Sequence, residues 1–443
     1  MLLSGDPISV IDTGRYLSGR HCGYCSGSSG SAIFGFSAIS LTVKDYQEFM
    51  DRGYRRSGSF MYKPDLLHSC CPQYAIRLAV SQYKPSKEHR QTINRFNRFV
   101  LGATYQDALY RHESAISKAH GKGKRNQEFD LLDAIHRAES SNLPPELSHI
   151  PRHHEFTVKL VAPIFTTEKF ELFKHYQITC HHENEHEISQ AGFKRFLCDN
   201  PFQLPPGYTY EENTKKLGLW HQMYYLDGDL IAMAVLDFLP NSVSGVYFMW
   251  REEYAKYSLG KLSACREAAL ALEENDEFYY MGLYIYSCQK MKYKSAFAPS
   301  QLLDPELYEY FRFDRFEPEL SKCEYVTFAD GPDHPDKHNR PQKGGAKGAQ
   351  TEDEEENTPD DSISVFEADM PGVLSLEQVR ATANLEHIQL IVNRYVYTAM
   401  VCVFFCLFEY VADLHERRAS KLQAQKYSKS LKKRFWQLLP PSV

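Results

Sequence analysis

Tyr279 to Pro299 reads Y-Y-M-G-L-Y-I-Y-S-C-Q-K-M-K-Y-K-S-A-F-A-P. Its first half, Tyr279 to Tyr286, is aromatic and apolar with a single glycine, the pattern of a buried strand. Its second half places Lys290, Lys292 and Lys294 within five residues. At strand spacing all three share one face. A buried strand that opens into a basic, aromatic edge suits an anionic ligand near the centre of a domain. The plainer alternative is a strand end followed by a solvated basic turn.

Upstream of this stretch the pattern is clear. Gln222 to Leu226 and Leu230 to Leu239 are apolar runs joined by Asp227-Gly228-Asp229, a hairpin signal. Ser242 to Trp250 reads as a third strand. Ser258 is placed to cap a helix running to about Glu274, with Leu262, Cys265, Ala269 and Leu272 on one face. A meander, a helix and then a strand parallel to its predecessor is the core order of an acetyltransferase-like (GNAT-like) fold. The expected class is therefore α+β, with this domain spanning residues 152–330. Phe156 to Ala162 alternates as a strand, and Thr167 to Gln177 is helical with Thr167 as N-cap.

Residues 1–101 form a Cys-rich N-terminal domain. Cys22 and Cys25 flank Gly23-Tyr24, and Cys70-Cys71 precede Pro72. Four such thiolates suit tetrahedral zinc or an iron–sulfur cluster; four buried free thiols are the bland alternative. Cys180, His181, His182 and His186 have metal-like spacing, but their polar surroundings favour a solvated loop. Lys84 to Leu101 reads as a helix with Lys87, Arg90, Arg95 and Arg98 outside and Ile93, Phe96, Phe99 and Val100 inside. With Arg55 and Arg56 these residues make a local basic density.

Residues 102–151 read as a linker or variable insertion, 331–361 as a disordered acidic linker, and 362–443 as a C-terminal extension. The formal charge is −6, and Thr351 to Asp361 alone carries seven acids. The rest is near neutral, so nucleic-acid affinity must come from local patches. No charged n-region with an apolar h-region begins the sequence, and eleven cysteines without one imply reduced or metal-bound thiols in a cytoplasmic or nuclear setting. The apolar run Tyr395 to Phe408 is 14 residues, short for a membrane span. A packed helix is expected there, without stable membrane insertion.

Several blocks carry a family resemblance. C-G-Y-C at Cys22 to Cys25, D-R-G-Y-R-R-S-G at Asp51 to Gly58 and C-C-P-Q-Y-A-I-R at Cys70 to Arg77 resemble the N-terminal domain of eukaryotic arginyl-tRNA–protein transferases. G-F-K-R-F-L-C at Gly192 to Cys198, Y-L-D-G at Tyr225 to Gly228, L-P-N-S-V-S at Leu239 to Ser244 and the Tyr279 to Lys294 stretch resemble that family's C-terminal domain. M-P-G-V at Met370 to Val373 resembles fungal members. The sequence departs at Tyr286, where the family has His in I-H-S-C, and at Gln289 and Lys292.

The resemblance implies an enzyme that moves arginine from arginyl-tRNA to the α-amine of proteins bearing N-terminal Asp, Glu or oxidised Cys. The product is an N-degron, read for ubiquitin-dependent degradation. It also implies that Cys22, Cys25, Cys70 and Cys71 hold an iron–sulfur cluster, with zinc and haem as alternatives. Aminolysis of an activated ester needs positioning and oxyanion stabilisation, not a nucleophilic Ser or Cys. Asp237, in an otherwise apolar strand, is the expected partner of the arginyl guanidinium. Tyr224, Tyr225, Tyr247 and Tyr284 are candidates to wall a channel, with aromatic core packing the expected role of most of them. Lys294 and Arg77 are expected to meet the acceptor's acidic residue, with Lys290 and Lys292 beside the substrate. Arg55, Arg56, Lys87, Arg90, Arg95 and Arg98 are the expected tRNA contacts. Two competing readings are an acetyl-CoA N-acetyltransferase and a metal-bound RNA-binding module without catalysis. The first is disfavoured because Lys256 to Leu262 lacks the pyrophosphate-binding R/Q-x-x-G-x-G/A pattern.

Overall fold

The computed structural model describes residues 8–329 and 363–398, apart from 13, 26, 28–29, 120–128, 211–214, 383–388 and 393–394. Strands β1 (Val10–Ile11), β2 (Arg15–Arg20) and β3 (Ser31–Thr42) lead into helix α1 (Val43–Met50). Strands β4 (Arg55–Ser57), β5 (Phe60–Pro64) and β6 (Tyr74–Ala79) precede α2 (Lys87–Ala119) and α3 (Leu131–His136). Then come β7 (Phe156–Val161), α4 (Thr167–Tyr176), α5 (Gln190–Phe193) and β8 (Phe202–Gln203). The meander β9 (Gly218–Leu226), β10 (Asp229–Leu239) and β11 (Ser242–Trp250) is followed by α6 (Leu259–Glu273) and β12 (Phe278–Tyr284). Strands β13 (Ser300–Leu303) and β14 (Tyr310–Arg312) and helix α7 (Phe313–Leu320) complete the body. The class is mixed α+β.

Two sheets organise these elements. A six-stranded sheet runs β1-β3-β5-β4, with β2 and β8 also on β3. An eight-stranded sheet runs β14-β13-β6-β12-β11-β10-β9-β7. Strand β6, from the Cys-rich part of the sequence, lies inside the larger sheet, antiparallel to both β12 and β13. The expected boundary at residue 101 falls inside α2, which is bent at Gly102 (φ 74°). A Cβ there would stand 2.5 Å from the His153 ring, so only glycine fits.

Strand β10 shows how the larger sheet is buried. Ala232, Ala234, Leu236 and Phe238 pack into a core with α2 and α6. Met233, Val235 and Leu239 pack into another with α4, α5 and the smaller sheet. A strand covered on both faces carries apolar residues at successive positions, which is why β10 reads as a continuous run.

Local chemistry sets several boundaries. Asp227 (φ 53°) and Gly228 (φ 92°) form the expected two-residue hairpin. Thr166, not Thr167, caps α4, accepting from Lys169 N. Ser258 stands at the expected N-cap position of α6, but its side chain makes no capping bond to the helix. The residue has φ 56°, and its hydroxyl accepts from Arg95 Nη2 at 3.1 Å.

Residues 363–373 pack on this body: Met370 is buried against Tyr16 and Ala32, and the Tyr308 hydroxyl donates to Gly372 O at 2.6 Å. A second unit, residues 374–443, contains α8 (Leu376–Thr382) and an antiparallel hairpin of β15 (Gln389–Val392) and β16 (Tyr395–Thr398). The apolar run expected to be helical therefore begins as a strand; its part beyond Thr398 lies outside the described residues, as does the acidic stretch 331–361. No helix among the described residues is long and apolar enough to cross a membrane.

Candidate active site and metal centre

The two cysteine pairs meet. Cys22 and Cys25 lie on the turn after β2, closed by Cys22 N–H to Gly27 O at 2.8 Å. Cys70 and Cys71 follow a turn organised by Asp65. Its carboxylate accepts from Leu67 N, His68 N and the Tyr16 hydroxyl. Cys70 N–H then donates to Gly30 O at 2.7 Å, which ties the two turns together. All four Sγ atoms lie within 4.8 Å of one another, with Cys25 and Cys70 at 3.3 Å. Gly30 leaves the room for this: a Cβ there would sit 2.4 Å from Cys70 Sγ. The Gly27 N–H draws the Cys25 thiol down to about 7. Burial raises Cys70 to about 12. The donor set fits a thiolate-bound metal. Cys22 and Cys71 pack on Ile285, with Cys288 and Met291 alongside, so the centre sits against the turn that leaves β12.

That turn borders a gap in the larger sheet. Strands β11 and β12 are paired only over Ser242–Ser244 and Phe278–Tyr280. Beyond this point both are irregular. The β10–β11 register shifts so that Leu236 faces Gly245 while Val235 faces Tyr247. The β12–β6 register shifts between Tyr280 and Leu283, and Gly282 takes φ 74°. Bulges on both strands let them part and re-aim nearby side chains.

Two ionisable side chains border the gap. Glu267 reaches in from α6, its Oε2 2.8 Å from where a Cβ on Gly245 would stand. It accepts from the Ser263 hydroxyl and from Tyr279 OH, the latter at 2.5 Å. Burial raises its pKa to about 7, against the pull of those hydroxyls and of Lys294. Lys294 Nζ donates to Leu283 O at 2.7 Å and lies 3.9 Å from the corresponding point on Gly282. Burial, helped by Arg55, lowers its pKa to about 8.

Other expected site residues are placed differently. Asp237 points into the opposite core from Glu267. Both its oxygens are taken by Arg56, Nε–Oδ2 at 2.7 Å and Nη2–Oδ1 at 2.5 Å, with the two side chains 0% and 1% exposed. An interior ion pair is neither a receptor for a substrate guanidinium nor a phosphate contact, so both expectations are corrected. Arg55 is also interior, donating to Met50 O, Tyr54 O and Gly282 O. Lys290, Lys292 and Lys294 do not share a strand face. They lie on a 3-10 helix, Gln289–Ala296, whose three residues per turn point them in three directions. Lys290 and Lys292 are exposed.

Arg77 is clamped between the Phe278 and Tyr310 rings, 3.7 Å from each centroid, and donates to Gln301 Oε1. Tyr284 is a core residue, packed edge-on to Phe313. Tyr247 donates to Gln177 Oε1 at 2.8 Å, with His181 Nε2 3.2 Å away. Tyr225 stands at the hairpin end of β9, bonded to Glu168, away from the Gly245 register. Tyr286, in place of the family's His, is half-buried with Lys292 Nζ 6.0 Å from its ring centre. Lys87, Arg90, Arg95 and Arg98 are all exposed on α2, as expected.

Glu267 escaped sequence reasoning because an acid in an amphipathic helix reads as solvated. The usable signal was that Leu262 to Ala271 is apolar or small nearly all round, which leaves a charge there no solvated face. Every residue of that run is buried.

Comparison with known proteins bears on the chemistry. Residues 20–91 match the family model described as "Arginine-tRNA-protein transferase, N terminus", and residues 168–304 match "Arginine-tRNA-protein transferase, C terminus". Arginyl-tRNA–protein transferase 2 of Arabidopsis thaliana is 28% identical over 74% of this chain and 78% of that protein. Arginyl-tRNA–protein transferase 1 of Saccharomyces cerevisiae is 31% identical over 64% of this chain and 58% of that protein. The aspartate/glutamate leucyltransferase of Pseudomonas putida is 24% identical over 64% of this chain and 89% of that protein. Among solved structures, L-PGS from Bacillus licheniformis aligns over 55% of this chain and 50% of its own, at 12% identity and a TM-score of 0.25. The class that the family models and the arginyl-tRNA–protein transferase relatives define is aminoacyl transfer from tRNA to protein. The chain belongs to the arginyl-tRNA–protein transferase family.

Proposed function

We propose that the protein transfers arginine from arginyl-tRNA to the α-amine of proteins beginning with Asp, Glu or oxidised Cys, creating an N-degron. The observation that carries this reading is the gap between β11 and β12, where the Glu267 carboxylate and the Lys294 ammonium stand beside two glycines. The amine nitrogen bonds to the ester carbonyl carbon, the bond to the terminal ribose oxygen breaks, and the proton lost by the amine balances the one gained by that oxygen. Alignment of the two substrates supplies much of the rate. Lys294 offers positive charge to the acceptor's acidic side chain. The exposed face of α2, which packs on α6, offers Lys87, Arg90, Arg95 and Arg98 to tRNA phosphates. The order meander, helix, parallel strand supports an acetyltransferase-like core. A tRNA substrate and protein acceptors suit a cytoplasmic or nuclear enzyme.

Cys22, Cys25, Cys70 and Cys71 would hold the metal centre. An iron–sulfur cluster, zinc and haem iron all accept thiolate. With Zn–S of about 2.3 Å, a tetrahedral ion needs sulfurs about 3.8 Å apart. The observed cage is near that size. A multi-iron cluster would need the two turns to separate, and haem would use fewer thiolates than are gathered here. The centre's contribution is to fix the turn that follows β12.

The test is incubation of the protein with labelled arginyl-tRNA and an Asp-initiated peptide. Label should move to the peptide's N-terminus and not to one beginning with a neutral residue. No transfer, or acetylation from acetyl-CoA instead, would overturn the reading.

A further inference from the structure

We propose that Glu267 is the carboxylate that receives the guanidinium of the arginyl group, and so selects arginine. The inference rests on the arginyl-transfer reading and goes beyond it, because Asp237 is already bound to Arg56 on the other side of the sheet.

The other carboxylates buried within the body are already matched. Glu139 holds Arg266 and His136, and Asp276 holds Lys215 through Oδ1, its Oδ2 having no hydrogen bond but lying at the α6–β12 turn, away from the gap. Asp65 and Asp304 are met by backbone N–H groups. Among the described residues, Glu267 is the buried carboxylate whose hydrogen bonds come only from hydroxyls, those of Ser263 and Tyr279. It is 4% exposed, so it is removed from bulk water, and its Oε2 lies against Gly245 at the edge of the gap.

Access is built into the strands. Gly245 is the residue at which β11 leaves β12, and any side chain there would collide with Glu267 Oε2. The missing Cβ joins the carboxylate to the gap. The depth suits the end of a long side chain better than an α-amine attached to a protein. Tyr279 borders the carboxylate, and Tyr224 and Tyr293 lie within electrostatic reach of it. Aromatic residues around a carboxylate favour a planar, delocalised cation over ammonium. The fork of a guanidinium can engage a carboxylate through two N–H groups. A guanidinium there also favours the ionised carboxylate, offsetting the burial that raises its pKa to about 7. With both substrates present, Glu267 and the acceptor's acid balance the guanidinium and Lys294.

The test uses the full chain, an Asp-initiated peptide, and tRNA charged with arginine or with its neutral isostere citrulline. Single-turnover rates and apparent affinities are compared for wild type, Glu267→Gln, Glu267→Asp and Ser263→Ala. Losing one member of a buried charge pair should cut arginyl transfer by on the order of a hundredfold or more in Glu267→Gln. Citrullyl transfer should hold or rise. Glu267→Asp should keep part of the arginine preference, and Ser263→Ala should weaken arginyl binding alone. If Glu267→Gln does not fold, the preference ratios of the other two variants decide. An unchanged ratio, or parallel loss of both substrates, would overturn the inference. A wild type that transfers no arginine would instead overturn the proposed function.

Discussion

Replacing Asp237 with Asn is expected to damage the fold before it touches the chemistry. Arg56 comes from β4 of the smaller sheet and Asp237 from β10 of the larger, so their paired hydrogen bonds bridge the two. Burial works against the Arg56 charge, and Asp237 more than offsets it, leaving the guanidinium pKa raised. Asn keeps the size but sets an amide N–H against a guanidinium N–H. The stranded cation then has the Phe202 ring at 5.3 Å and Gly58 O, but no counter-charge. Breaking a buried pair in this way costs about 3–5 kcal/mol. Urea unfolding of Asp237→Asn, Arg56→Met and an Arg56→Met/Asp237→Leu double variant measures it. Each single change should cost that much, and the double should recover a large part, because neither charge is then left alone. An Asp237→Asn protein within about 1 kcal/mol of wild type that has nonetheless lost arginine transfer would refute the structural role and return Asp237 to the substrate.

The remaining predictions concern the metal, the pH response and tRNA. Gly30→Ala forces a methyl group against Cys70 Sγ; metal content by elemental analysis should fall, and full stoichiometry would contradict the cage described. Because the Glu267 pKa is raised to about 7 from 4.5, the folded state keeps a proton that the unfolded state has lost across that window. Stability should therefore fall as pH rises from about 4.5 to 7, by up to about 3 kcal/mol from this group. Glu267→Gln should flatten that slope and be the more stable protein at pH 8, as urea midpoints at several pH values will show. Reversing Arg90, Arg95 and Arg98 to Glu should weaken tRNA binding and lower its salt dependence by roughly one slope unit per lost phosphate contact. Unchanged binding would remove α2 from the interface.

The sequence discloses those features whose cause is local. The Asp227-Gly228 turn sets its hairpin, the 3.6-residue period sets α2 as far as Leu101, while its continuation past Gly102 reads as linker, and the cysteine pairs announce their convergence. What it hides depends on distant partners. The Lys-x-Lys-x-Lys alternation imitates a strand, yet β12 stops at Tyr284 because its partner β6 begins at Tyr74, just after the cysteine turn. Asp237 looks available because the arginine that occupies it is 181 residues away. Glu267 looks solvated when α6 is read as amphipathic, and only the nearly unbroken apolar or small run Leu262 to Ala271 says that the helix is covered on every side.

The interior position of β6 bears on how the chain is made. The strand leaves the ribosome about 200 residues before β12, the neighbour it must join, a long delay for a non-local pairing. Until then Ile76 and Leu78, both wholly buried in the finished sheet, sit on a strand with two unmatched edges. The nascent chain must shelter that strand, by early contacts of its own or by a chaperone. A fragment ending before Phe278 would carry it permanently exposed, and a fragment starting after Ala79 would leave β12 and β13 with nothing between them. Split expression, limited proteolysis and domain swapping with relatives should all respect this. The chain cannot be divided at the seam between the two family regions.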